Sequence, residues 1–209
     1  MIFAVLPVKD PARAKDRLSP RLSPVERAAL ARSMYEHVLA ALLSARGIDR
    51  ILVATSDPAP AAHAPRGGAL VLEETTQLSH SHSADAAARH ALALGATTVV
   101  LLAIDTPFVT PAEIESLLTP PLPHLRIVPD QAGTGTNALV RTPPDCIASR
   151  FGPGSFEAHL QQARDRGLAC EVLRPRGLVF DVDTPEDYDR FLSTGGPPGW
   201  QDVGYDDTP

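Results

Sequence analysis

The sequence predicts an α/β fold: a mixed, mostly parallel sheet with helices on both faces. Three observations carry that expectation. Apolar runs of strand length alternate with segments of helical character along the chain, the pattern of strands joined by covering helices. Two of the runs, Ile2 to Val8 and Val99 to Ala103, are apolar almost without interruption, as buried strands are. Charged or glycine-rich segments follow several runs, and in such sheets a ligand sits beyond the carboxyl ends of the strands.

Taken in order, Ile2 to Val8 reads as the first buried strand, and a basic loop from Lys9 to Leu22 follows. Ser23-Pro24-Val25-Glu26 is a capping box with proline at the first helical position, predicting a helix to about Ala45. Ile51 to Thr55 and the shorter Ala69 to Leu72 read as strands, separated by a Pro/Ala/Gly loop. The Ala-rich stretch Ser83 to Leu94 is helical and ends at Gly95. Val99 to Ala103 is a strand closed by Asp105-Thr106-Pro107, and Pro111 to Leu118 is a short helix. Leu125 to Val128 and Ala138 to Arg141 read as strands around a Gly/Thr loop. Ser155 to Arg166 is helical, Cys170 to Leu173 and Leu178 to Phe180 are short strands, and Pro185 to Leu192 is a last helix. Residues 1–194 then form one domain, while the tail 195–209, rich in Gly, Pro and Asp, has no periodicity and is expected to be mobile.

A chain of 209 residues is long enough to bury a substantial core, and its 44% hydrophobic and 21% charged residues are ordinary for a globular protein. The net charge of −6 argues against a nucleic-acid partner. It leaves room for a nucleotide, which needs only a few local cations. Cys146 and Cys170 have no metal-type spacing, and the N-terminus, broken by Pro7, is too short for a signal peptide. With no run of roughly 20 apolar residues to span a bilayer, no membrane is implied and a reducing cytoplasm is the expected setting.

The densest chemistry lies in Asp181-Val182-Asp183-Thr184-Pro185. Read as the end of a strand, Asp181 and Asp183 point to one side and can converge on a hard divalent cation such as Mg²⁺. The competing reading makes Asp183 the cap of the helix that opens at Pro185. Asp105, just past the strand Val99 to Ala103, either joins them as a third ligand or starts the turn before Pro107. Lys9, Arg13, Lys15, Arg17 and Arg21 follow the first strand, where cations can neutralise a triphosphate. Gly133-Thr134-Gly135-Thr136-Asn137 is a loop of small residues that suits either an anion or a plain hairpin. Arg150-Phe151-Gly152-Pro153-Gly154-Ser155 opens a helix with glycines and a serine placed as its cap, a second anion site. His80, His82 and Asp85 lack the further ligands of a zinc site.

With these segments in order, the chain resembles the phospholactate/phosphoenolpyruvate guanylyltransferases of coenzyme F420 biosynthesis. The resemblance rests on Pro7-Val8-Lys9 with Ala14-Lys15-Asp16-Arg17-Leu18-Ser19, on Asp105-Thr106-Pro107, and on the three later segments just quoted. It implies a glycosyltransferase-A-like nucleotidyltransferase fold. It also implies GMP transfer from GTP to a phosphorylated three-carbon acid: 3-phospho-D-glycerate, phosphoenolpyruvate or 2-phospho-L-lactate. By that resemblance Asp105, Asp181 and Asp183 hold Mg²⁺ and, with Lys15, form the catalytic centre. Lys9, Lys15, Arg17 and Ser83 contact the nucleotide, and Thr136, Gly152 and Ser155 the acceptor. One departure is His80-Ser81-His82-Ser83, where the family usually has a Leu-Asn pair; the added polar groups favour an acceptor with an extra hydroxyl, 3-phospho-D-glycerate. The alternatives are a molybdopterin- or sugar-phosphate-type nucleotidyltransferase and a non-catalytic nucleotide-binding module. Oligomeric state is left open, a homodimer among the options.

Overall fold

A computed structural model of the chain describes residues 1–8, 15–75 and 78–196. Its seven strands are β1 (Ile2–Val8), β2 (Arg50–Thr55), β3 (Leu70–Glu73), β4 (Thr98–Leu102), β5 (Leu125–Pro129), β6 (Thr136–Arg141) and β7 (Cys170–Val172). They form one sheet in the order β3-β2-β1-β4-β6-β5-β7. The helices are α1 (Pro24–Ser44), α2 (Pro58–His63), α3 (His80–Ala93), α4 (Pro111–Ser116), α5 (Ser155–Asp165), α6 (Arg176–Val179) and α7 (Pro185–Ser193).

From β1 the chain builds outward through β2 and β3, all parallel, then crosses back to add β4 on the other side of β1. That reversal places a topological switch point at the carboxyl ends of β1 and β4, where ligands of open α/β sheets bind. β6 runs antiparallel to both β4 and β5, so its amino end, Thr136 and Asn137, lies at the same edge. The sheet is therefore mixed, with one reversed strand that serves the site.

Two cores cover the sheet. Along β1 the side chains alternate: Ala4, Leu6 and Val8 pack with Tyr35, Val38, Leu39 and Leu42 of α1, while Phe3 and Val5 pack with Ala84, Ala87 and Ala91 of α3. The α1 capping box is formed, with Ser23 Oγ accepting from the Glu26 N–H at 3.3 Å and Glu26 Oε2 accepting from the Ser23 N–H at 2.7 Å. A third, smaller core joins Leu18, Leu22, Leu30, Met34, Val182 and Phe191. It ties the segment after β1 to α1, to the Asp181–Asp183 segment and to α7.

Two expectations are corrected. Leu178 to Phe180 is not a strand; the chain makes the helical turn α6 there, with Leu178 fully buried. Three apolar residues in a row cannot distinguish a buried strand from a buried turn, and the turn is held by the Gly177 N–H, which donates to Glu113 Oε1 at 2.7 Å. α3 begins at His80 rather than Ser83, because Ser79 caps it by accepting from the His82 N–H. The tail beyond residue 196 lies outside the described residues.

At Gly177 a Cβ would stand 2.2 Å from the Phe108 carbonyl oxygen and 2.4 Å from Glu113 Oε2. Gly177→Ala is expected to lower stability by about 1–3 kcal/mol, the usual range for overpacking. Urea unfolding checks this, and an unchanged midpoint would contradict the close packing of α6.

Candidate active site

Asp105, Asp181 and Asp183 each place a carboxylate oxygen within 4.8 Å of the others. Asp105 arrives from the turn after β4. The other two arrive on the irregular segment after α6, not on a strand as expected, yet they still share a side. The cause is Val182, which is fully buried in the third core and whose N–H donates to the Asp105 carbonyl at 3.1 Å. With Val182 turned inward, its two neighbours face the cleft. The helix cap that competed for Asp183 is made by Thr184, which forms a capping box with Asp187.

Lys15 closes the cluster. Its Nζ donates to Asp105 Oδ2 at 2.7 Å and to Asp183 Oδ1 at 2.6 Å, and only 8% of its side chain is exposed. Among the described residues Lys15 alone combines a side chain with a positive φ, 59°. That left-handed backbone is uncommon outside glycine and gathers at functional sites. Burial works against the Lys15 charge, but Asp105 and Asp183 outweigh it and raise its pKa. Burial likewise opposes ionisation of Asp105, and Lys15 overrides it, holding that carboxyl below its usual range.

Asp181 behaves differently. Burial, then the Asp105 and Asp183 charges, push it up to about 7, although Asn137 Nδ2 donates to it at 3.3 Å. The same Asn137 amide reaches the carbonyls of Leu178 and Val179 at 3.0 and 3.2 Å, anchoring the turn that delivers Asp181. One ammonium therefore faces three carboxylates, and the excess of acid falls on Asp181, the carboxyl whose proton is held most tightly. An all-oxygen donor set with such a surplus suits a hard divalent cation.

Across the same cleft, of about 700 Å³, stand Thr136, Gly152 and Ser155. The cap of α5 is Gly154, with φ 73°, not Ser155. Ser155 is the first helical residue, and its Oγ donates to Thr136 Oγ1 at 3.2 Å. The loop between β5 and β6 is a hairpin and a cleft wall at once. Asp130 accepts from the Thr134 N–H at 2.8 Å, and the Thr134 carbonyl accepts from the Phe156 N–H, docking the loop on α5.

The remaining expected residues divide. Arg17 lines the cleft beside Lys15. Ser83 does not face it: fully buried, it donates to Glu74 Oε2 at 2.9 Å and to the Ser79 carbonyl. The Ser81 hydroxyl accepts from the Phe151 N–H at 2.8 Å. Asp85 turns away to Arg141 and Ser149, so it cannot join His80 and His82 in a zinc site. Lys9 and Arg13 lie outside the described residues. Asn137 was quoted only as part of a loop, and Val182 had no signal beyond being apolar between two acids.

The model of the family described as "Guanylyl transferase CofC like" matches residues 2–197. The chain belongs to this family. A phosphoenolpyruvate guanylyltransferase from Sphaerobacter thermophilus is 40% identical over 190 residues, 90% of this chain and 91% of that protein. A 3-phospho-D-glycerate guanylyltransferase from Colwellia psychrerythraea is 34% identical, covering 92% of each chain. A 2-phospho-L-lactate guanylyltransferase from Methanothermobacter thermautotrophicus is 33% identical, covering 92% of this chain and 84% of that one. The fold also matches CMP:2-keto-3-deoxy-manno-octonic acid synthetase in complex with CTP, with a TM-score of 0.60 at 14% identity over 93% of this chain and 98% of that one. It matches a Mycobacterium tuberculosis protein in complex with manganese, with a TM-score of 0.53 at 21% identity over 92% and 98%. The CofC-like chain thus has a nucleotidyltransferase fold. No helix among its described residues is long and apolar enough to cross a membrane.

Because Asp181 is pushed up to about 7, it holds a proton below that pH when no cation is bound. A divalent cation must displace that proton, so its affinity should rise with pH and level off above 7. Calorimetric titration between about pH 6 and pH 8 should show tightening of up to about tenfold per unit at the acid end. Asp181→Asn should flatten that dependence, and equal affinity at both ends would contradict the reading.

Proposed function

We propose that this guanylyltransferase joins GMP from GTP to the phosphate of phosphoenolpyruvate, releasing pyrophosphate, as a step in coenzyme F420 assembly. The observation that carries the reading is the Lys15–Asp105–Asp183 cluster with Asp181 at the sheet's switch point. It faces Thr136, Gly152 and Ser155 across one cleft. A nucleotide and a small anion can meet between the two walls.

The reaction asks little of acid–base groups. A phosphate oxygen of the acceptor, already an anion, forms the new bond to the α-phosphorus of GTP. The bond from that phosphorus to the bridging oxygen of the β-phosphate breaks, and pyrophosphate carries the electron pair away. Catalysis is then positioning and charge neutralisation. Asp105, Asp181 and Asp183 would hold Mg²⁺, which when bound supplies positive charge to the phosphates. Lys15 keeps Asp105 ionised and bridges it to Asp183, and Arg17 balances phosphate charge at the cleft rim. Lys9, one residue past β1, is the further cation this reading assigns to the triphosphate. Thr136, the Gly152 backbone and Ser155 receive the acceptor.

The choice of phosphoenolpyruvate rests on two supports. The hydroxyl argument for 3-phospho-D-glycerate loses one of its groups, since Ser83 is buried away from the cleft and only His80 and Ser81 of that segment line it. The 40% identical relative is a phosphoenolpyruvate guanylyltransferase, whereas the phosphoglycerate relative is 34% identical.

Pyrophosphate release from GTP and Mg²⁺ is the test, run with each of the three acids. Phosphoenolpyruvate should give the highest kcat/KM; a higher value for either other acid overturns the acceptor assignment. Asp183→Asn should lower kcat by at least about a hundredfold, the scale of removing a group that stabilises transition-state charge, with native circular dichroism retained. A near-normal rate in that variant would remove Asp183 from the catalytic centre.

A further inference from the structure

His159 takes no part in the chemistry just described, yet it is fully buried against the acceptor wall. Its Nε2 lies 2.9 Å from the Arg150 backbone nitrogen. A backbone N–H can only donate, so Nε2 is the unprotonated nitrogen of the ring. Nδ1, 3.1 Å from Thr136 Oγ1, therefore carries the hydrogen and donates it. A doubly protonated ring would set a second N–H against that of Arg150. Burial, with Arg141 and Arg150 adding to it and Asp85 opposing, also pushes the His159 pKa down to about 4.

Thr136 Oγ1 thus accepts from His159, and it accepts again from Ser155 Oγ at 3.2 Å. A hydroxyl oxygen has two acceptor positions and one hydrogen. Both acceptor positions are filled, so the hydroxyl has only its hydrogen left to offer. Thr136 lines the cleft, and that is where the hydrogen can find a partner. Ser155 and His159 sit one helical turn apart on α5, which is why both reach the same oxygen.

We propose that His159 is a positioning residue: by its fixed tautomer it makes Thr136 a hydrogen-bond donor and nothing else. This point of the cleft then selects an anionic oxygen, carboxylate or phosphate, and rejects a ligand presenting an N–H or O–H there. The inference rests on the proposed function, in which Thr136 meets the acceptor.

Steady-state kinetics on His159→Leu, His159→Gln, Thr136→Val and the Thr136→Val/His159→Leu double variant test it. His159→Leu should raise the acceptor KM about tenfold, the scale of one well-placed hydrogen bond, with the GTP KM unchanged. Glutamine can offer an amide N–H and a carbonyl oxygen in place of the two ring nitrogens, so His159→Gln should keep most of the acceptor affinity. In the Thr136→Val background, His159→Leu should add little, because its route to the acceptor is already gone. Equal loss in both backgrounds, equal rises in both KM values, or a glutamine variant as poor as leucine would each overturn the proposal. Nitrogen-15 NMR of the ring reads the tautomer in the unaltered protein, independent of any variant's folding. A protonated Nε2 at neutral pH overturns the proposal too. Absence of turnover by the unaltered protein with all three acids would instead sink the functional reading on which it rests.

Discussion

A buried lysine held between two aspartates organises this guanylyltransferase. Lys15 comes from the segment after β1, Asp105 from the turn after β4 and Asp183 from the approach to α7, so one ammonium ties three distant parts of the chain. A buried charge is tolerated only when paired, and that requirement constrains its neighbours. Lys15 accepts a left-handed backbone to reach the acids. Leu18 and Val182, on the segments that carry Lys15 and Asp183, are locked together in the third core. The pair is also incomplete, since Asp181 remains without a cation of its own and is pushed up to about 7. Local charge imbalance, not any single residue, makes the cluster receptive to a divalent cation.

The second wall depends on the reversal of β6. In a fully parallel sheet the amino end of that strand would lie at the opposite edge from the carboxyl end of β4. Running antiparallel, β6 brings Thr136 and Asn137 to the acids and does two jobs with adjacent residues. Asn137 braces the turn behind Asp181, and Thr136 joins Ser155 and His159 in a buried hydrogen-bonded cluster. Alternate residues of a strand face opposite sides, so neighbouring positions serve two different structures. The aspartate cluster and the Thr136–Ser155 wall are thereby held at fixed separation by one strand.

Much of this was legible in the residues. The alternation of apolar runs with capped helices gave the α/β class, and Ser23–Glu26 placed the start of α1 correctly. The acids Asp105, Asp181 and Asp183 were grouped because each stood just past an apolar run. The three do cluster, but through another local structure than the one read, since the run before Asp181 is a helical turn. Ser155 was similarly read as a helix cap, but Gly154 caps and the serine hydroxyl turns to Thr136. Ser83 was placed on the nucleotide, whereas it is buried against Glu74.

The sequence by itself determined the layered α/β class, the kinds of chemistry present and the order in which they occur. Those follow from properties of neighbouring residues: hydrophobic period, capping and charge. Tertiary structure alone decided that Lys15 pairs with acids ninety and more positions away. It also decided that β6 runs backwards, that Val182 turns its flanking aspartates together, and that His159 carries its hydrogen on Nδ1. Each of these depends on which group from elsewhere in the chain fills a lone pair, neutralises a charge or occupies a core. No local pattern encodes that partner, because the same short segment is stable in several arrangements until packing removes all but one.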